Sequence, residues 1–210
     1  MLELNIEEIK NWLNGYKINL YLDCDGVIKD TINTTLNMMV SEGYNIKDKS
    51  QIDYYFKNQA DWFSIWGNSP DINDSINVIK YLDSLGIFNI SILTKCTSRL
   101  EPFVKIRGFN MELPGIPVII VDYNQNKSDV VDASGSFLVD DSISYVNDWN
   151  NNGGIGVHFF DESNRITGIS DLKHENGLLE ISNLFNILYL LNNDKIREFI
   201  DMNRGRKYTR

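Results

Sequence analysis

The sequence predicts an α/β fold: a central, mainly parallel five-stranded sheet, helices on both faces, and a small helical lobe inserted after the first strand. Three observations lead there. Short apolar runs bounded by turn residues, such as Ile18-Asn19-Leu20-Tyr21-Leu22 and Ile90-Ser91-Ile92-Leu93, read as buried strands. Segments with helical rhythm separate them, and that alternation favours parallel strands covered on both sides. From residue 30 to residue 69 the rhythm lapses into an amide-rich and then aromatic-rich block, read as the inserted lobe. Residues 1–29 and 70–210 then form the core, and residues 30–69 the small helical cap.

A chain of 210 residues with 42% apolar composition can bury one substantial core and a small lobe. Its formal net charge of −9 argues against an extensive nucleic-acid-binding surface. The basic residues near the end, Arg204, Arg206, Lys207 and Arg210, read as a solvated tail, with a contact to phosphate or another chain as the alternative. Cys24 and Cys96 have neither metal-site spacing nor a disulfide framework, so reduced, buried thiols in a cytoplasmic protein are expected. The opening residues lack the basic flank and apolar core of a secretory signal. Charged or amide residues interrupt every candidate membrane span, so no membrane partner is expected.

In chain order, Asn5 precedes a helical pattern of Ile6, Ile9, Trp12 and Leu13, with Glu8 placed as a capping box requires. Strand one follows at 18–22 and delivers Asp23. Within the lobe, Leu36, Met38, Met39 and Val40 come first, then Tyr54, Tyr55, Phe56, Trp62, Phe63 and Trp66. These rings suit a lobe core, yet so short a segment cannot hide them all. Trp62, Phe63 and Trp66 are therefore candidates to stack on a planar ligand. Residues 71–85 form a helix stopped by Gly86, and 87–93 a second strand ending at Thr94. A helix over 98–108 tolerates Pro102 in its first turns. A third strand covers 118–121, a fourth 137–139 before Asp140 and Asp141, and a fifth 155–160. His158 falls in the fifth strand as a satisfied core or sheet-surface residue, and His174 has no ligand-spaced partner, which leaves zinc without support. Residues 178–200 read as a long apolar-rich helix broken near 192–194, able to dock on the sheet or to join two copies of the chain as a homodimer.

The predicted strand ends carry the chemistry. Open α/β sheets bind ligands beyond the carboxyl ends of their strands, and here those ends hold Asp23 with Asp25, Thr94, the loop with Lys127, and Asp140 with Asp141. Asp23 and Asp25 stand two apart, so in strand geometry both project to one side. Such a pair repels unless a cation or a shared proton resolves it. Gly26 lets the chain turn away directly afterwards. Acidic pairs from two strand ends converging on one hard cation such as Mg2+ would draw in a phosphate, and Thr94 and Lys127 suit its remaining charge. An aspartate can attack phosphorus, and its neighbour can protonate the leaving oxygen and later activate water.

On these residues the chain resembles the haloacid dehalogenase (HAD) superfamily of phosphatases. The first motif is matched by Leu20-Tyr21-Leu22-Asp23-Cys24-Asp25-Gly26, and the second by Ile90-Ser91-Ile92-Leu93-Thr94. The third is best matched by Lys127, with Lys95 as the other candidate lysine. The fourth is matched by Phe137-Leu138-Val139-Asp140-Asp141-Ser142. All four stand in family order. The resemblance implies a Rossmann-like three-layer fold, Asp23 as nucleophile and metal ligand, and Asp25 as acid and base with its backbone carbonyl on magnesium. It further implies Asp140 and Asp141 at the metal, and Thr94 and Lys127 on the transferred phosphoryl group. Within the superfamily the chain looks most like the 5′(3′)-deoxyribonucleotidase group, through the small cap, Asn126-Lys127-Ser128, and Asn147 with Gly153-Gly154.

The expected activity is thus magnesium-dependent hydrolysis of a small phosphomonoester through an aspartyl-phosphate, with a nucleoside monophosphate as the favoured substrate. A sugar-phosphate or polynucleotide-end phosphatase and a non-enzymatic interaction module retaining the fold are the alternatives.

Overall fold

The computed structural model describes residues 5–160 and 178–204. Six strands form one sheet: β1 (Ile18–Leu22), β2 (Phe88–Cys96), β3 (Val118–Asp122), β4 (Phe137–Asp140), β5 (Ile155–Phe159) and β6 (Leu179–Ile181). They lie in the order β3-β2-β1-β4-β5-β6, and every neighbouring pair is parallel. The chain steps from β1 to β2 on one side and later to β4 on the other. The order therefore reverses at β1, where an open α/β sheet offers a crevice beyond its strand ends.

Five strands were expected, and the sixth corrects that count. Residues 179–181, read from sequence as the start of a long helix, pair with β5, Leu179 opposite Val157 and Ile181 opposite Phe159. The remaining helical rhythm is split into a 3-10 turn (Leu184–Asn186) and two helices, α9 (Ile187–Leu190) and α10 (Asp194–Asn203). Asn183 caps the turn and Asn193 caps α10 through their side chains. Two separate caps within so short a stretch exclude one continuous helix.

The other helices are α1 (Ile6–Leu13), α2 (Thr31–Ser41), α3 (Lys49–Asn58), α4 (Trp62–Asn68), α5 (Ser75–Ser84), α6 (Glu101–Glu112), α7 (Lys127–Val130) and α8 (Ile143–Asn151). Asn5 caps α1 by accepting from the Glu8 N–H at 3.2 Å, and Asp30, Asp48 and Asp61 cap α2, α3 and α4 in the same way. Alternate residues of the strands face opposite layers. Leu20, Leu22, Phe137 and Val139 pack with Ile9, Ile79, Leu188 and Ile200 in the larger buried cluster, whereas Leu93, Val121 and Leu138 pack with Trp149 of α8 in the smaller one. Helices therefore cover both faces.

Between β1 and α5, helices α2, α3 and α4 carry a small apolar cluster of their own around Leu36, Met39 and Tyr55. A second cluster, Trp62, Ile65 and Val104, seats α4 on α6. Gly108 makes that contact close, because a Cβ there would overlap the indole of Trp66. At the opposite end of the molecule, the guanidinium groups of Arg197 and Arg204 lie 5.1 and 4.9 Å from the Trp12 ring, tying α10 to α1. Arg204 is thus packed rather than a freely solvated charge, while Arg206, Lys207 and Arg210 lie outside the described residues, as does His174. Among the described residues no helix is long and apolar enough to cross a membrane.

Candidate active site

Asp23 follows β1 directly, and its N–H still donates to the Val139 carbonyl of β4 at 2.9 Å. That bond holds its carboxylate beside the end of the neighbouring strand. Gly26 then turns the chain with φ of +78°, a left-handed conformation that glycine adopts without strain. A side chain at this position would overlap the Asp141 carboxylate. The turn is closed by Cys24, whose carbonyl accepts from the N–H of Ile28 at 2.9 Å and of Lys29 at 3.0 Å.

Across the crevice, β4 ends in Asp140, and the carboxylates of Asp23, Asp140 and Asp141 each offer an oxygen within 4.8 Å of the others. Lys127 sits among them, fully enclosed, its Nζ donating to Asp23 Oδ1 at 2.7 Å and to Asp140 Oδ2 at 2.6 Å. It is the first residue of α7, which two bonds anchor. The Asn126 N–H donates to Asp129 at 2.8 Å, and the Ser128 hydroxyl donates to Asp148 of α8 at 2.5 Å. Lys95 points elsewhere, donating to the Tyr145 hydroxyl at 3.0 Å.

Burial of so much like charge shifts the titration of the group. Desolvation raises the Asp23 carboxyl to about 7, the neighbouring Lys127 ammonium opposing and Asp140 and Asp25 reinforcing it. Asp141 is likewise raised well above the usual carboxylate range, first by burial and then by Asp140 and Asp23. Burial lowers Lys127, but Asp140 and Asp23 outweigh it and hold the ammonium charged. Three carboxylates with one lysine are acceptor-rich, and all their donor atoms are hard oxygens. This set suits a small divalent cation better than it suits a soft metal.

Asp25 occupies the next position along. Its Oδ1 accepts from the Thr31 hydroxyl, the first residue of α2, at 2.6 Å. Its Oδ2 pairs with Lys105 of α6 and lies 3.4 Å from the Thr94 hydroxyl. Thr94 is fully buried near the end of β2, and Lys105 Nζ donates to its oxygen at 3.0 Å. Lys105 also pairs with Glu101 at 2.8 Å. Glu101 accepts in turn from the Thr97 N–H at 2.7 Å, bracing the loop that follows β2.

Lys105, Glu101 and Thr31 were absent from the residues singled out by sequence. The signal for the first two was present in α6, where positions 101, 104, 105, 108 and 109 are all buried. Two charges on an otherwise apolar helical stripe mark an internal ion pair.

The expected aromatic residues are placed differently from one another. Trp62 is buried against Phe56, with Lys105 Nζ 5.4 Å from its ring, and Trp66 stands edge-on to Phe109 at 4.8 Å between centroids. Phe63 is half exposed and meets Phe103 edge-on at 6.3 Å. Only Phe63 of the three presents a largely open ring. His158 in β5 bridges Glu180 at 3.1 Å and the Asp141 carbonyl at 3.2 Å, steadying the loop after β4. Both cysteines are buried and free, and burial raises Cys96 to about 12 and Cys24 well above its ordinary value. Neither thiol is poised as a nucleophile.

No protein-family model matches the chain, and no curated protein does. Solved structures do. A HAD-hydrolase from Bacillus subtilis, described as bound to magnesium, aligns with a TM-score of 0.57 at 13% identity over 85% of this chain and 100% of that one. A haloacid dehalogenase-like hydrolase from Xanthomonas campestris gives 0.53 at 11% identity over 89% and 99%. The D,D-heptose 1,7-bisphosphate phosphatase from Burkholderia thailandensis gives 0.51 at 12% identity over 84% and 99%. At such identities the likeness is one of architecture, and the chain has the fold shared by these HAD-superfamily hydrolases.

Proposed function

We propose that the protein is a phosphomonoester hydrolase that works through an aspartyl-phosphate on Asp23. The observation that carries this reading is the meeting of Asp23, Asp140 and Asp141 around Lys127, with Asp25 and Thr94 alongside. The shared fold with HAD-superfamily hydrolases adds support. Asp23, Asp140 and Asp141 would hold magnesium, which when bound neutralises phosphate charge and orients the ester.

In this reading an Asp23 carboxylate oxygen attacks phosphorus, forming a new P–O bond as the bond to the leaving oxygen breaks. Asp25, protonated in the ester complex in place of a bond it accepts from Thr31 or Lys105, gives that proton to the leaving oxygen. Water then attacks the phosphoryl-aspartate, losing its proton to Asp25, and inorganic phosphate departs with Asp23 restored. Lys127 and Thr94 hold the phosphoryl oxygens by charge and by a shorter-range hydrogen bond. Helices α2 to α4 act as the cap over this crevice, with Thr31 reaching Asp25 from the first turn of α2.

A small phosphorylated compound is the substrate class. A nucleoside monophosphate is the finer reading, and the half-exposed Phe63 is the ring that favours it. A magnesium-supplemented screen of nucleoside 5′- and 3′-monophosphates, sugar phosphates and phosphorylated DNA ends tests both levels together. Acid-stable capture of phosphate on the wild type and loss of at least about a thousandfold in kcat for Asp23→Asn are expected. Retention of most turnover by that variant would dismiss Asp23 as nucleophile.

A further inference from the structure

A cleft of about 550 Å³ opens beyond the carboxyl ends of β2 and β3 and beneath α3, lined among others by Lys57, Cys96, Arg99, Asp122, Tyr123 and Asn124. It begins two residues past Thr94 on the same strand, since Cys96 closes β2. Its volume suits the organic part of a small metabolite.

The cleft is cationic in a chain whose net charge is −9. Lys57 and Arg99 line it and, like several other cations among the described residues, have no carboxylate as an ion-pair partner, whereas the active-site lysines Lys105 and Lys127 do. The acidic residue on the wall, Asp122, is turned to its own loop, its Oδ1 accepting from the N–H of Asn124 at 3.0 Å and from its side-chain amide at 3.3 Å. Lysines and tyrosines alternate from the carboxylate cluster to this cleft. Lys127 Nζ lies 5.5 Å from the Tyr145 ring and Lys95 Nζ 4.9 Å from the same ring. Lys95 then lies 5.7 Å from the Tyr123 ring, and Lys57 from α3 lies 4.6 Å over it. A file of lysines and tyrosines thus links the carboxylate cluster to the cleft, where Lys57 stands clear of those carboxylates. The loop carrying Arg99 is braced by Glu101, which accepts from both the N–H and the hydroxyl of Thr97 at 2.7 and 3.1 Å.

We propose that this cleft receives the leaving group of the phosphomonoester, and that the leaving group carries a second anionic group, phosphoryl or carboxylate, held by Arg99 and Lys57. The proposal rests on the phosphatase reading but departs from its nucleoside monophosphate form, whose leaving group is uncharged, and narrows it to doubly anionic esters. Such a ligand recovers charge-assisted hydrogen bonds that a neutral leaving group would leave unmade. Binding between α3 and the loops after β2 and β3 also makes the two residues determinants of specificity rather than of the chemical step.

The test compares kcat/KM, at fixed ionic strength with magnesium, for a homologous series of alkyl phosphates ending in methyl, carboxylate, phosphate or trimethylammonium. The reacting ester is alike throughout, so the ratio reads the distal group alone. At the best chain length the carboxylate or phosphate member is expected to exceed the methyl member by about tenfold or more, and the trimethylammonium member to be the poorest. Arg99→Glu combined with Lys57→Glu should invert that order. A partly misfolded variant lowers all rates alike and leaves the ratio readable. Hydrolysis of the whole series with no anionic preference, or a preference untouched by the charge reversals, overturns this inference alone. Failure to hydrolyse any member while the magnesium-supplemented screen releases phosphate overturns this inference alone, and failure of both overturns the phosphatase reading with it. A preference for the carboxylate over the phosphate, or the reverse, identifies which anion the cleft takes.

Discussion

Lys105 is the residue on which two acids depend, Glu101 buried and Asp25 partly so. Its ammonium is enclosed between Asp25 and Glu101, the latter almost wholly buried, and it also contacts Thr94. Desolvation alone would discharge a lysine there, but Asp25 and Glu101 outweigh it and hold its pKa well above the ordinary value. Replacing it by methionine preserves length while leaving two carboxylates without their cation. Removing one partner from such a buried set costs about 3–5 kcal/mol. Lys105→Met should therefore lower the urea midpoint sharply, and adding Glu101→Gln should restore part of the loss. A variant within about 1 kcal/mol of the parent would show the pairing to be inconsequential. The residues next to phosphorus in the proposed reaction stood out in sequence because aspartates and a threonine ended apolar runs. Lys105 did not, since a single lysine in a helix ordinarily lies in water, and only its fellowship with Glu101 on a buried stripe distinguishes it.

At the scale of elements, two helical glycines make opposite demands. In α6, Gly108 lies against the Trp66 indole, so even one added carbon must displace a ring. In α4, Gly67 has open space around its Cβ position. Helix propensity alone would stabilise either alanine by about 0.5–1 kcal/mol. Gly67→Ala should show that gain in thermal unfolding, whereas Gly108→Ala should lose about 1–3 kcal/mol through overpacking. Equal gains at both sites would mean that α4 is not seated on α6 as described. Elements with several turns of pattern were readable: the strand that bears Thr94 was expected at 87–93 and spans Phe88–Cys96. Short ones were not. β6 is three residues long, and Leu178-Leu179-Glu180-Ile181 fits a helix as readily as an edge strand until β5 supplies its partner. The four-residue α7 likewise read as polar loop, because its order comes from capping and from Asp148 rather than from an apolar face.

For the molecule as a whole, the acidic cluster links stability to pH. Asp23 titrates at about 7 in the fold against an ordinary 3.8, so folding favours its protonated form. The stability it contributes is present below the ordinary value and is lost as pH rises through about 7. A divalent cation binding the ionised cluster reverses that loss. The rise in Tm on adding magnesium should accordingly be small near about pH 5 and several degrees near about pH 8. An increment independent of pH would detach cation binding from these carboxylates. The global architecture was legible because parallel sheets advertise themselves through apolar strands with helices between. What lay beyond reach was the sixth strand and the detailed role of each ring, which depend on neighbours far away in sequence.

Lys127 meets Asp23 across 104 intervening steps of chain, and the pocket needs the far end of β4 as well. No early portion of the polypeptide can assemble it, because the carboxylate made first waits for partners supplied much later. Cation affinity is therefore a reporter of completed folding: truncated or half-built chains would carry the conspicuous N-terminal acids yet have nothing with which to grip an ion.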